Sequence, residues 1–196
     1  FGFFVMLSLL YAVVGIRVLG EIVRHRRTMF DDVFTESDRY LVGQAAFFLL
    51  VPLSVALHEL GHAIAIWSFG GRVTDFGFYV FAGFVSYNEP FTDTQRIIVA
   101  LAGPLVNVVL AGTALAAIVL RRPPMRAAFN ELLFQFAVIS TANALIFYPL
   151  LDFGTGMEGD WSQIYDGGKP LLSGLILVAH LGILFGAYAA WQNDRV

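Results

Sequence analysis

Cysteine is absent from this 196-residue chain. That excludes a disulfide framework and any thiolate metal site, so a bound metal must rely on His, Asp or Glu. Charge is also scarce: 14% of residues are Asp, Glu, Lys or Arg, where soluble domains carry about a quarter. The net charge of −3 offers no basic surplus suited to nucleic acid. Histidine occurs only four times, as His25, His58, His62 and His180. No internal repeat or low-complexity tract is visible, which argues against repeat-built transporter folds.

What is abundant is apolar surface. Hydrophobic residues make up 58% of the chain and the mean hydropathy is +0.72. Water cannot host that much apolar area, and a bilayer can. At about 20 residues per crossing, five segments are long enough to span: 3–20, 40–69, 95–120, 127–151 and 171–191. The first is as long as a spanning helix and is followed by no small-residue cleavage pattern, so a retained span is expected there and not a signal peptide. Phe at position 1 suggests a piece of a longer chain.

The stretches between spans are polar. Residues 21–39 are expected as a charged loop carrying Arg24-His25-Arg26-Arg27, with His25 solvated. Arg121-Arg122-Pro123-Pro124 reads as a basic turn whose prolines stop the third span. Residues 152–170 are Gly-rich and acidic. The segment 70–94 differs: Phe76, Phe78, Tyr79, Val80, Phe81, Phe84, Val85 and Tyr87 are punctuated by Gly77 and Gly83. That composition predicts a β-hairpin or re-entrant element between the second and third spans. Its backbone groups cannot face lipid unpaired, so it must pack on protein or lie at the interface. The fold class expected is therefore an all-α polytopic membrane protein with a small hairpin, forming a single domain over residues 1–196.

Orientation follows from Lys and Arg. Arg17, Arg24, Arg26, Arg27, Arg39, Arg121, Arg122, Arg126 and Arg195 fall on one side of the five-span arrangement, and Arg72, Arg96 and Lys169 on the other. The first side is expected in the cytoplasm, with the hairpin and the 152–170 loop facing out.

The chemistry lies in the second span. His58-Glu59-Leu60-Gly61-His62 places two imidazoles four residues apart, on one face of a helix, with a carboxylate beside them. Such a pair can grip one zinc ion while the glutamate acts as base for its water. Ionisable groups at membrane depth are costly and mark function by default. A chance His-Glu-His on a polar face is the bland alternative. Catalytic zinc needs a third protein ligand. Asp152 and Asp160, at the mouth of the fourth and fifth spans, are the candidates. One of the two is expected to be only a helix cap or a solvated acid. His180, deep in the last span, is expected to pack between helices.

Three motifs in order carry a resemblance. His58-Glu59-Leu60-Gly61-His62-Ala63, Ala102-Gly103-Pro104-Leu105-Val106-Asn107, and Asn143 with Pro149 followed by an Asp resemble the signatures of the site-2 protease family of intramembrane zinc metalloproteases. The likeness covers about residues 40–165. The third motif departs from the family pattern, because Asp152 precedes Phe153 and Asp160 precedes Trp161. Ile164 and Tyr165 match the apolar pair that follows the family's ligand Asp, which favours Asp160 and puts it in the first turn of a new helix. Gly154, Gly156 and Gly159 would let the chain fold back toward the histidines.

The resemblance implies Zn2+ on His58, His62 and Asp160, with Glu59 as the catalytic base, and a membrane-protein substrate cut within or near its span. Asn143 is either a substrate or oxyanion contact or interhelical glue. The hairpin either offers a strand edge to an extended substrate or plugs the surface without touching it. Gly103, Pro104 and Asn107 are expected to shape helix packing. Two other functions remain open from the residues: a non-catalytic zinc-binding regulator of a membrane partner, and an ion transporter.

Overall fold

The structure is a computed structural model and describes residues 2–80, 82–121, 125–156 and 158–192. The expected turn at Arg122-Pro123-Pro124, the hairpin residue Phe81, and Arg195 lie outside the described residues. Helix α1 runs Gly2–Met29, α2 Glu36–Ala45, α3 Val51–Ser68, α4 Asp93–Leu120, α5 Ala127–Ala142, α6 Tyr148–Thr155, α7 Asp160–Asp166 and α8 Pro170–Trp191. Strands β1 (Val73–Phe78) and β2 (Gly83–Tyr87) form an antiparallel hairpin between α3 and α4. Wide π-helical turns at Ala46–Leu50 and Asn143–Phe147 join α2 to α3 and α5 to α6. Five helices among the described residues are long and apolar enough to cross a membrane: Val5–Met29, Glu36–Ser68, Asp93–Leu120, Ala127–Thr155 and Pro170–Ala190.

Three expected span bounds are corrected at the helix ends. Helix α1 does not stop at Gly20 but continues to Met29. Glu21 meets Arg24 at 3.1 Å and His25 at 3.4 Å across one turn, and such pairs favour continued helix over a loop. His25 is therefore an exposed helical residue and not a loop one. The second span starts at Glu36, because Thr35 and Asp38 form a capping box that satisfies the first free N–H groups. The fourth span runs to Thr155, which puts Asp152 inside a helix rather than in the Gly-rich loop. Gly156, at φ 69°, ends it in the left-handed region.

The two π turns share one cause. In each, the residue before a proline donates five residues back: Val51 to Ala46 and Tyr148 to Asn143. The next residue is Pro52 or Pro149, which has no N–H to give. The carbonyls of Phe47 and Ala144 are thus left without a helical donor, and each is taken by a side chain from another element. Tyr11 of α1 donates its hydroxyl to Phe47 O. The Trp161 indole of α7 donates to Ala144 O at 2.8 Å. One residue on, Leu145 O accepts from His180 Nε2 of α8 at 2.7 Å. The prolines thereby create acceptors that bind α1, α7 and α8 to the bundle.

Polarity is arranged inside out. Val5, Leu9, Val13 and Ile16 of α1 and Leu171, Leu175, Val178 and Phe185 of α8 are exposed, as suits lipid contact. Ser54, Asn107 and Ser140 are buried. Ser54 Oγ lies 3.1 Å from Ser140 Oγ and donates to Asn107 Oδ1 at 3.4 Å, which joins α3, α4 and α5. Asn107 thus has the interhelical bonding expected of it. A compact apolar cluster of Ala100, Leu145, Trp161 and Ile164 seats α7 against α4 and the second π turn.

Candidate metal centre

Helix α3 carries His58, Glu59 and His62, all buried. Their ring centroids, for the two histidines, lie 4.8 Å apart and nearly perpendicular. Close approach of α4 makes this possible. A Cβ on Gly103 would run into both imidazoles, reaching His58 Cδ2 at 2.6 Å. A Cβ on Gly61 would meet Ala102 O at 2.8 Å. Gly103 therefore touches the histidines as well as shaping the helix contact.

Asp160 reaches the pair from α7. Its Oδ2 is 2.9 Å from His58 Nε2 and 3.3 Å from His62 Nε2. Ligand atoms of His58, His62 and Asp160 all lie within 4.8 Å of one another. Tetrahedral zinc with bonds near 2.0–2.1 Å separates its ligand atoms by about 3.4 Å, so a small closure or expansion fits the ion. The donor set of two imidazoles and one carboxylate is that of catalytic zinc sites. His62 Nδ1–H donates to Val99 O at 2.7 Å. That bond fixes the tautomer that leaves Nε2 free for a metal. His58 Nδ1 is buried with no hydrogen-bond partner among the described residues, and the ring's hydrogen bond is the one from Nε2 to Asp160. Burial opposes ionisation of Asp160, but the His62 imidazole and the bond from His58 outweigh it and hold the carboxyl below the usual carboxylate range.

Asp152 lines the same cavity as the histidines but is not part of the His58, His62 and Asp160 cluster. Its Oδ2 accepts from Trp161 N at 2.8 Å and Ser162 N at 3.4 Å, so it caps the start of α7. Of the two acids, Asp152 has the geometry of the cap, and Asp160 meets the histidines. The expected first-turn position of Asp160 is observed, with Gly159 as N-cap.

Glu59 faces a cavity of about 310 Å³ that it shares with His58, His62 and Asp160. One wall of it is the hairpin: Ala82, Gly83, Phe84, Val85 and Tyr87. Strand β2 bonds to β1 along one edge, and β2 rather than β1 lines the cavity. The hairpin tip is tied to α1, where Ser8 Oγ donates to Tyr79 O at 2.7 Å. Tyr148 stands edge-on to His58 with centroids 5.4 Å apart. Asn143 does not line the cavity.

Sequence reasoning missed Tyr148, the Val99 carbonyl and the contact of Gly83 with Glu59. A backbone carbonyl leaves no trace in a sequence, and an aromatic in a membrane span has no distinguishing signal. His180 packs as expected. Its ring lies 4.2 Å from Trp161 by centroid, and Nδ1 is 2.9 Å from the Tyr165 hydroxyl.

A model of Peptidase family M50 matches residues 46–187. No curated protein and no solved structure matches the chain.

Proposed function

The chain belongs to peptidase family M50, and from that premise we propose that it is an intramembrane zinc metalloendopeptidase acting on peptide bonds within or near the spans of membrane-bound substrates. The observation that carries this reading is the convergence of His58, His62 and Asp160 in one cavity with Glu59. Residues 1–196 act as one transmembrane domain in this reading, embedded as a multi-pass protein.

His58 Nε2, His62 Nε2 and an Asp160 oxygen would hold the ion. A zinc ion held there would supply Lewis acidity toward a water and toward the scissile carbonyl. Glu59 accepts the proton of the attacking water and returns it to the leaving amine. Val99 O and Gly103 keep the imidazoles in place. Asn143 is outside the cavity lining, so its part in this reading is to support the helix packing around the site and not to touch the reacting atoms.

A helical substrate hides its peptide bonds, because each carbonyl is hydrogen-bonded and ringed by side chains. Cleavage requires local unwinding. Strand β2 supports this step, because it lines the cavity beside Glu59 and an extended segment can add to a strand edge. The test is metal content and cleavage together. The purified protein should carry zinc and cut a membrane substrate, and Glu59→Ala should keep the zinc and lose the cutting. Zinc retained with no cleavage by the unaltered chain, across a broad panel of membrane substrates, would favour a non-catalytic regulator.

A further inference from the structure

Two acids eight residues apart flank the turn that brings α7 back to the histidines, and they do different things. Asp152, near the end of α6, is buried. Its Oδ2 accepts from the amides of Trp161 and Ser162, the two residues after Asp160. The carboxylate is packed so closely on the backbone of Gly159 that a Cβ there would lie within 2.5 Å of its carboxyl carbon and Oδ2. The residues on both sides of Asp160 are therefore held by one side chain from the neighbouring helix.

Helix α7 has only seven residues and no intrinsic stability at that length. Its other anchors, the Trp161 indole on Ala144 O and Ile164 O accepting from Ser173 Oγ at 2.6 Å, hold its far face and its end. Ser162 Oγ accepts from Gly159 N at 3.0 Å and donates to Gly159 O at 2.8 Å, but those bonds tie the first turn only to itself, and the indole and Ile164 bonds leave the amides of Trp161 and Ser162 unbound. Asp152 binds both amides, which would otherwise be free at a helix start.

We propose that Asp152 is a positioning residue for the metal centre: it clamps the first turn of α7 so that the Asp160 carboxylate meets His58 and His62. The inference rests on the zinc reading above and deepens it. It assigns a separate role to the acid at the position where the third motif leads one to look for a ligand. Groups that orient metal ligands typically contribute 10–100-fold to metal affinity.

The test is zinc affinity of the intact, detergent-solubilised protein, measured by chelator competition for the unaltered chain and for Asp152→Ala, Asp152→Asn, Gly159→Ala and Asp160→Ala. Asn and Ala remove the same charge, but only Asn keeps an oxygen that accepts from the amides. Asp152→Ala should weaken zinc binding about 10–100-fold, and Asp152→Asn should recover more than half of that loss on a logarithmic scale. Gly159→Ala leaves the carboxylate in place but forces it off the backbone, and should resemble Asp152→Ala. In metal-free protein, amide exchange at Trp161 and Ser162 should speed up in Asp152→Ala and not in Asp152→Asn. Unchanged zinc affinity in Asp152→Ala overturns the proposal. So do equal losses in the Asn and Ala variants with Asp160→Ala still binding zinc, which would make Asp152 the ligand. Absence of zinc from the unaltered chain overturns the zinc reading itself, a result distinct from either.

Discussion

Gly83 of β2 lies directly against the side chain of Glu59: a Cβ on it would come within 2.7 Å of the Glu59 carboxyl carbon. The hairpin and the proposed base are thus in contact through a residue that has no side chain. Gly83→Ala should push Glu59 aside, since the three atoms nearest to the added methyl all belong to that side chain. Misplacement of a reacting group by about 1 Å can cost on the order of 10²-fold in rate, so cleavage should fall by roughly that factor. Zinc content should be unchanged, and parallel metal analysis and cleavage assays check both.

Gly103 makes the complementary case. The three atoms nearest to an added methyl there all belong to the imidazoles. Gly103→Ala should therefore weaken zinc binding by at least about tenfold. Chelator competition measures it. Full affinity in this variant would mean that α4 does not set the spacing of the histidine pair.

Strand β2 can be examined by proline, which removes an N–H donor from a strand edge. Substitution at each of Phe84, Val85 and Ser86 in turn should reduce cleavage of a transmembrane substrate at one or more positions, with zinc retained. Unaltered cleavage at all three positions would remove the pairing role and leave the hairpin as a cover over the site.

Asn107 is placed to stabilise the bundle and not to act on substrate. It is buried at 1% exposure and bonded to Ser54. Asn107→Ala should lower stability by about 1 kcal/mol, the scale of an interhelical bond in a membrane. Zinc stoichiometry should stay the same, and unfolding in mixed detergent provides the readout.

Much of this was legible because membrane folds are constrained by length and polarity. Spans must be about 20 residues and apolar, and buried ionisable residues need a reason. The histidine pair, the hairpin and the helical start at Asp160 follow from such patterns. The residues after Asp160, Ile164 and Tyr165, point to it as the ligand, but the cap role of Asp152 is not legible, because it depends on the turn at Gly156 bringing Trp161 N and Ser162 N against its carboxylate. Nor are the π turns. Pro52 and Pro149 are visible in the sequence, but the widened turn before each depends on Tyr11, Trp161 and His180 arriving from distant segments to take the freed carbonyls. Helix α1 runs past the expected end at Gly20 for a local reason. Its last turns are charged, and pairs within one helical turn keep a charged segment helical.

Zinc content of the intact protein, purified in detergent under conditions that preserve loaded sites, bears most directly on the proposed activity. One zinc ion per chain is expected, lost in His58→Ala, His62→Ala and Asp160→Ala and kept in Glu59→Ala. An unaltered chain that holds no zinc, or histidine variants that hold it undiminished, would contradict a hydrolytic centre at this position.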